Sequence, residues 1–265
     1  MKIIDAHEHF FDNFSLEDTK KYLLDSNKKY NIKGSLISFS FNERINHSPF
    51  NNDYKNALDF TLSFCKEHHN FKMLIWFLPR SFNDINYLDN FINKNKKYIK
   101  GLKFHPYLSE LGIDSKECIP FIELARKYSL PILVHTALDE FSNISRLENA
   151  AITNKDINFI AAHLELESNN KYCLEVIKRN KNIYGDTAWV KMENLKYAKK
   201  LKIINKIIFG TDNPIDKDET LSNKIYLDYF QNSIKLSKRD YKKIMYKNAL
   251  KIYKIKLKEF KWFDK

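Results

Sequence analysis

Glycine is almost missing from this chain, with 5 among 265 residues, and proline is hardly commoner at 6. Flexible linkers are built largely from such residues, so the sequence offers no boundary at which to divide it, and residues 1–265 read as one domain. Cysteine is as sparse. Cys65, Cys118 and Cys173 are odd in number and lack metal or redox spacing, which excludes a disulfide framework and leaves reduced, buried thiols of a cytoplasmic protein as the expectation. Long apolar runs are absent too. A stretch such as Met73 to Leu78 is far too short to cross a bilayer, and Asp5, His7, Glu8 and His9 stand where the apolar part of a secretory signal would lie, so no membrane role is expected.

The charge balance is one-sided, with 45 Lys and Arg against 33 Asp and Glu, a net charge of +12. The lysines are scattered beside Asn and Glu on helix-like segments, with no nucleic-acid-binding motif, so they describe a solvated surface and no nucleic-acid partner. The same field suits a small anionic substrate. The oligomeric state is not fixed by the sequence, and a homodimer is left open.

What the chain does have is regular alternation. The opening Ile3-Ile4-Asp5-Ala6-His7-Glu8-His9-Phe10 reads as a strand, and strand-like runs follow at Gly34–Phe41, Phe71–Leu78, Ile99–His105, Leu130–His135, Ile157–His163, Asn182–Ala188 and Lys206–Asp212. Helix-compatible segments separate them; the first opens on the capping box Ser15-Leu16-Glu17-Asp18, and a later one covers residues 51–69. Eight βα units with a repeat of about 29 residues suit right-handed parallel crossovers and predict a closed (β/α)8 TIM barrel of the α/β class. An open doubly wound sheet is the rival, but its glycine-rich phosphate turn is missing after the first strand. A C-terminal helix through Asn248-Ala249-Leu250 and an aromatic tail with Phe260, Trp262 and Phe263 are expected to pack against the barrel.

The histidines carry the functional signal. His7 and His9 are two residues apart on one strand, so both imidazoles point the same way, as half of a metal site would require. His105, His135 and His163 also fall at strand C-termini, and in a barrel of this kind those ends converge on one face. Alternation places Leu133 with His135, Ala161 with His163 and Gly210 with Asp212 toward the interior, leaving Ile132, Val134, Ile160, Ala162 and Phe209 toward the helices.

Asp5-Ala-His7-Glu-His9, Gly101-Leu-Lys-Phe-His105-Pro, Leu133-Val-His135, Ala162-His163, Gly210-Thr-Asp212-Asn-Pro214 and Asn248-Ala249, in that order, resemble the motifs of the amidohydrolase superfamily. The similarity is to its amidohydrolase-related branch, which includes aminocarboxymuconate semialdehyde and resorcylate decarboxylases and pyrone dicarboxylate lactonases. One departure is that His163 leads into Leu-Glu165-Leu-Glu167 where small residues often follow. The resemblance implies His7, His9, His135 and Asp212 as ligands of one divalent metal ion, zinc being expected, with Asp212 also moving a proton and His163 acting on the substrate. Three imidazoles and a carboxylate leave room for a water whose pKa a catalytic zinc lowers to about 7.

These residues together point to a metal-dependent hydrolase of a small-molecule C–N or C–O bond. A non-oxidative decarboxylase of a carboxylated substrate is the alternative, and a non-catalytic binding protein is the reading from another class. Lys103 and His105 share a strand face and are candidates for substrate binding. Weaker candidates are Asp186, Thr187, Glu165, Arg80, Glu43, Arg44 and His47. Lys103 is expected to stay unmodified beside a single ion, because its Lys-Phe-His-Pro setting resembles the mononuclear branch of the superfamily and because an open, wet barrel mouth would keep its amine charged.

Overall fold

The computed structural model describes residues 2–11, 15–43 and 51–260. Eight parallel strands form one sheet in chain order: β1 (Ile3–Phe10), β2 (Ile32–Phe39), β3 (Phe71–Trp76), β4 (Ile99–Phe104), β5 (Ile132–Ala137), β6 (Phe159–Leu166), β7 (Ile183–Asp186) and β8 (Ile207–Ile208). The sheet curls back on itself. Ala6 N–H donates to Phe209 O at 2.9 Å, Asp212 N–H to His7 O at 2.7 Å and His9 N–H to Asn213 O at 2.9 Å, which seals β1 against the segment after β8. This is the (β/α)8 barrel expected from the repeat. Its last strand is much shorter than predicted, because Phe209 to Asn213 bond to β1 without extending the ladder to β7.

The helices are α1 (Leu16–Lys29), α2 (Asn51–Glu67), α3 (Ile85–Asn95), α4 (Pro106–Ser109), α5 (Ile119–Tyr128), α6 (Ile144–Thr153), α7 (Lys171–Arg179), α8 (Leu195–Lys200), α9 (Lys224–Gln231), α10 (Lys238–Lys242) and α11 (Asn248–Ile252). Ser15 caps α1 through Asp18 N–H, as the capping box predicts. With glycine so scarce, left-handed positions at helix ends fall to residues such as Asn31, Ser129 and Asn232, and every glycine keeps a negative φ or an extended one. Two glycines instead make space. A Cβ on Gly210 would sit 2.8 Å from His7 Cβ, and one on Gly34 would sit 2.7 Å from the Phe260 ring.

Two buried clusters separate inside from outside. Ile4, Ala6, Leu36, Leu74, Leu133, Ile160, Ala162 and Ile208 come from strands around the ring and pack on one another within the barrel. Ile3, Ile37, Met73, Ile75, Ile132, Val134, Ala161 and Phe209 pack instead with helix residues such as Leu23, Leu58 and Leu147. The expected alternation holds for β5 and for Phe209. On β6 it is reversed: Ile160 and Ala162 face inward and Ala161 faces the helices. The reason is local. His163, Leu164 and Glu165 all have positive φ, at 66°, 47° and 68°, and this left-handed run resets the strand's period of two just where His163 must turn into the mouth. A register shift between Asp5 and Glu8 does comparable work on β1.

The N-terminal end of the barrel is closed by the chain after the last helix. Phe260 is fully buried and joins the interior cluster with Ile252, Tyr253 and Ile255, as the expected packing of the tail requires; Trp262 and Phe263 lie outside the described residues. Removing this plug should leave a cavity. Phe260→Ala is therefore expected to destabilise the protein by about 3–5 kcal/mol, read as a lower urea midpoint with unchanged slope. A change under about 1 kcal/mol would show that the tail merely rests on the barrel.

Candidate metal site and substrate cavity

At the C-terminal ends of the strands lies a cavity of about 650 Å3. Its polar lining is His9, Ser40, Lys103, His105, His135, His163, Glu167 and Asp212, and its apolar walls are Phe11, Trp76, Trp189, Leu108, Leu166 and Ile215. All the predicted site residues except His7 line it, and His7 lies directly beneath, 2.9 Å from His9 and 3.0 Å from Lys103.

The floor is built around His7 and His9. His7 Nδ1 lies 2.7 Å from Asp186 Oδ2, and His9 Nδ1 lies 2.8 Å from Ser38 Oγ. With each Nδ1–H donated to these neighbours, each Nε2 presents a lone pair. The two Nε2 atoms are 2.9 Å apart, and Asp212 Oδ1 is 3.1 Å from one and 3.4 Å from the other. Two nitrogens each about 2.0–2.1 Å from a zinc-sized ion are separated by roughly 2.9–3.4 Å at octahedral to tetrahedral angles. The triangle fits a metal ion. Two lone pairs and a carboxylate facing one point in a dry site otherwise repel, so the chemistry of the set calls for a cation as well.

A second set of donors, His7, His163 and Asp186, also lies within 4.8 Å. His135 belongs to neither set. It stacks on His105 with ring centroids 3.8 Å apart and meets His163 edge-on at 4.8 Å, forming the wall beside the donors. Asp186, a weak candidate from sequence, turns out to orient the floor: Oδ2 faces His7, while Oδ1 accepts from the backbone N–H of His163 at 2.8 Å and Ala188 at 3.1 Å.

Burial dominates the electrostatics. It holds His7, His105 and His135 well below the usual imidazole range and lowers His9 too, with the Lys103 ammonium adding to the effect. His163 is pushed down to about 4. All five are neutral at pH 7. Burial would raise Asp212, yet the positive charge that His7, His9 and His163 carry when protonated holds its carboxyl well below the usual range, so it ionises before these rings lose their protons and is a carboxylate. His163 Nδ1 lies 3.2 Å from Ala188 O, which only an N–H can satisfy, so its Nε2 is an acceptor. His105 is the opposite case. Its Nδ1 accepts from Leu108 N–H at 3.4 Å, placing the ring proton on Nε2.

Lys103 corrects an expectation. It is not in a wet mouth: only 1% exposed, it sits 3.0 Å from His7 Nε2 and 5.6 Å from the Trp76 ring centre, and burial pushes its pKa down to about 8 against the pull of Asp212 and Asp186. The premise that a wet mouth keeps this amine fully charged therefore fails.

Several weaker candidates are structural. Glu43 accepts from the backbone N–H of Arg80 and Ser81, Arg80 pairs with Glu110 at 3.1 Å, Glu165 accepts from Ile144 N–H at 3.2 Å, and Thr187 bonds the Gly210 backbone. Arg44 and His47 lie outside the described residues. The aromatic walls were missed from sequence. Trp76 and Trp189 sit at or just beyond strand ends, as the histidines do, and only that position could have marked them.

The family model described as Amidohydrolase matches residues 4–255. No curated protein matches. Among solved structures, the chain superposes on 5-carboxyvanillate decarboxylase from Sphingomonas paucimobilis with a TM-score of 0.70 at 12% identity, covering 96% of this chain and 99% of that one. For the probable 2-pyrone-4,6-dicarboxylic acid hydrolase from Acinetobacter baumannii, with citric acid bound, the values are 0.67, 13%, 96% and 100%. For dihydroxybenzoic acid decarboxylase from Polaromonas sp. JS666, with manganese and 2-nitroresorcinol bound, they are 0.67, 15%, 96% and 97%.

The buried amine yields a pH prediction with a definite sign. Lys103 loses its proton near pH 8 when folded and near 10.5 when unfolded, so between these values the unfolded chain binds more protons and stability rises with pH. Metal-free Lys103→Met lacks this dependence. Its stability relative to the wild type should therefore fall between pH 8 and 10.5, by up to about 3 kcal/mol, in urea unfolding at several pH values. Parallel curves would place the ammonium in water.

Proposed function

The chain belongs to the amidohydrolase family, and from that premise we propose that it is a metal-dependent hydrolase of a small, ring-bearing anionic molecule. The observation that carries the reading is the triangle of His7 Nε2, His9 Nε2 and Asp212 Oδ1 on the floor of the cavity, with Asp212 kept as a carboxylate. These three hold the ion, and His135 on the adjacent wall is the further donor that the family resemblance assigns. Zinc and manganese both suit two or three imidazoles and a carboxylate. When bound, such an ion acts as a Lewis acid and brings the pKa of a coordinated water to about 7.

The chain's own groups do the rest. The Asp212 carboxylate accepts the proton of the attacking water and returns it to the leaving nitrogen or oxygen. His163 offers an unprotonated Nε2, which suits a base or a ligand better than a donor to a developing oxyanion. That donor role falls to Lys103 Nζ and His105 Nε2–H, which also recognise an anionic group of the substrate. Trp76, Trp189 and Phe11 provide faces on which a planar ring packs while water is kept out.

A second reading, non-oxidative decarboxylation, is favoured by the same aromatic walls and buried cation, which suit an aryl carboxylate. It is also the reaction named for two of the similar structures. Protonation at carbon would then replace attack by water.

Metal-loaded protein should turn over a member of a panel of lactones, esters, amides and aryl carboxylates, and His9→Ala should lose at least about 100-fold of that activity. Reaction in 18O-labelled water separates the two readings. Label in the organic product marks hydrolysis, and CO2 release with an unlabelled organic product marks decarboxylation. Turnover that survives chelation and His9→Ala unchanged would sink both.

A further inference from the structure

Trp189 is one of the cavity walls, yet its geometry goes beyond what a wall needs. Its φ is 60°, a left-handed conformation that a bulky residue adopts only when its surroundings impose it. What imposes it is Tyr226 on α9, which is fully buried. The Tyr226 hydroxyl accepts from Trp189 N–H at 3.1 Å and donates to the carbonyl of Thr211, the residue before Asp212. The two rings meet edge-on with centroids 5.5 Å apart. One hydroxyl thus ties the loop after β7 to the backbone that carries Asp212. The indole completes the link, since Trp189 Nε1–H points at Asp212 Oδ2 at 3.3 Å.

The two oxygens of Asp212 consequently have different duties. Oδ1 faces His7 and His9 at 3.4 and 3.1 Å, and Oδ2 is the one engaged by the indole. We propose that Trp189 is a positioning residue: its indole N–H holds Asp212 Oδ2 so that Oδ1 is presented to the His7–His9 pair. A carboxylate without this bond could rotate about its Cβ–Cγ axis and exchange its oxygens, and part of its binding energy would go to fixing it. The strained backbone and the Tyr226 bridge serve to aim the indole. Because Trp189 also lines the cavity, the same side chain couples the substrate wall to the orientation of the carboxylate.

The proposal rests on the metal-site reading for its consequence but not for its geometry, and two measurements keep them apart. In metal-free protein, the indole proton of Trp189 is identified by its disappearance in Trp189→Phe and then followed in Asp212→Ala. A hydrogen bond to the carboxylate predicts a downfield resonance that moves upfield and exchanges faster when Asp212 is removed. In a second experiment, Mn2+ alone is titrated into chelator-treated wild type and Trp189→Phe. Weakening of roughly tenfold is expected, with thermal midpoints of the metal-free proteins within about 2 °C of each other. An indole resonance indifferent to Asp212 overturns the proposal. So does Trp189→Phe that binds Mn2+ as the wild type does, or that loses affinity only in proportion to lost folded protein. If the wild type binds no Mn2+ while the indole resonance responds to Asp212, the metal-site reading fails and the positioning of Asp212 stands.

Discussion

Two imidazole lone pairs held 2.9 Å apart on a dry floor are the constraint around which the rest of the mouth is arranged. Such a contact is repulsive unless something positive faces it. Each ring is locked into it from behind, His7 by Asp186 and His9 by Ser38. Gly210 is part of the same arrangement, because any side chain there would strike His7 Cβ. The aim of the rings therefore depends on β1, β2, β7 and the segment after β8 together. A strand motif of two histidines acquires its free nitrogens only because Ser38 on β2 and Asp186 on β7 engage the other ones.

Charge follows from that arrangement. Five neutral imidazoles surround one carboxylate, Asp212, and one buried amine, Lys103, whose Nζ lies 3.0 Å from the free nitrogen of His7. In the metal-free protein this amine is the only cation among the described residues that meets the lone pairs directly. Burial holds its pKa down near 8 against the pull of Asp212 and Asp186. A doubly charged ion on the same nitrogens would compete with it at short range, so metal and ammonium are alternatives for the same electrostatic need.

The barrel was legible because its information is periodic. Seven of the eight strands appear within a few residues of where alternation and punctuation put them, and only the eighth is cut short. The histidine cluster was legible for the same reason, since strand ends converge in this architecture whatever the loops do. What failed was anything requiring the period to break. On β6 the alternation extrapolated from Ala161 to His163 gave the wrong inward set, because three consecutive left-handed residues intervene, and the sequence His-Leu-Glu carries none of the Gly or Asn that would signal them. The burial of Lys103 was misjudged because parity says which way a side chain points and not how deep the water reaches. Asp186 and Trp189 were undervalued because their importance lies in whom they touch, His7 and Asp212, both far away in sequence.

Those breaks in the period are themselves organised. Left-handed residues at helix ends, such as Ser129 and Asn232, are ordinary caps. Six more gather at the mouth: His163, Leu164, Glu165, Glu167, Trp189 and Asp212. Conformations of this kind cost on the order of 1 kcal/mol or more each when a bulky residue adopts them, and they persist only where neighbours over-determine them. The neighbours are present. Asp186 takes the N–H of His163, Thr136 Oγ1 that of Glu165, Tyr226 that of Trp189 and His7 O that of Asp212, while Asn170 caps the carbonyl of Leu164. Each of these partners is buried, so none can be replaced by water without opening the core. The strain of the mouth is thus held in part by groups that also aim side chains of the candidate metal site, Asp186 facing His7 as well as His163 N–H, so relaxing one would disturb the other. Four of the six, His163, Glu167, Trp189 and Asp212, carry side chains that line the cavity, and glycine there would relieve the backbone at the expense of the site.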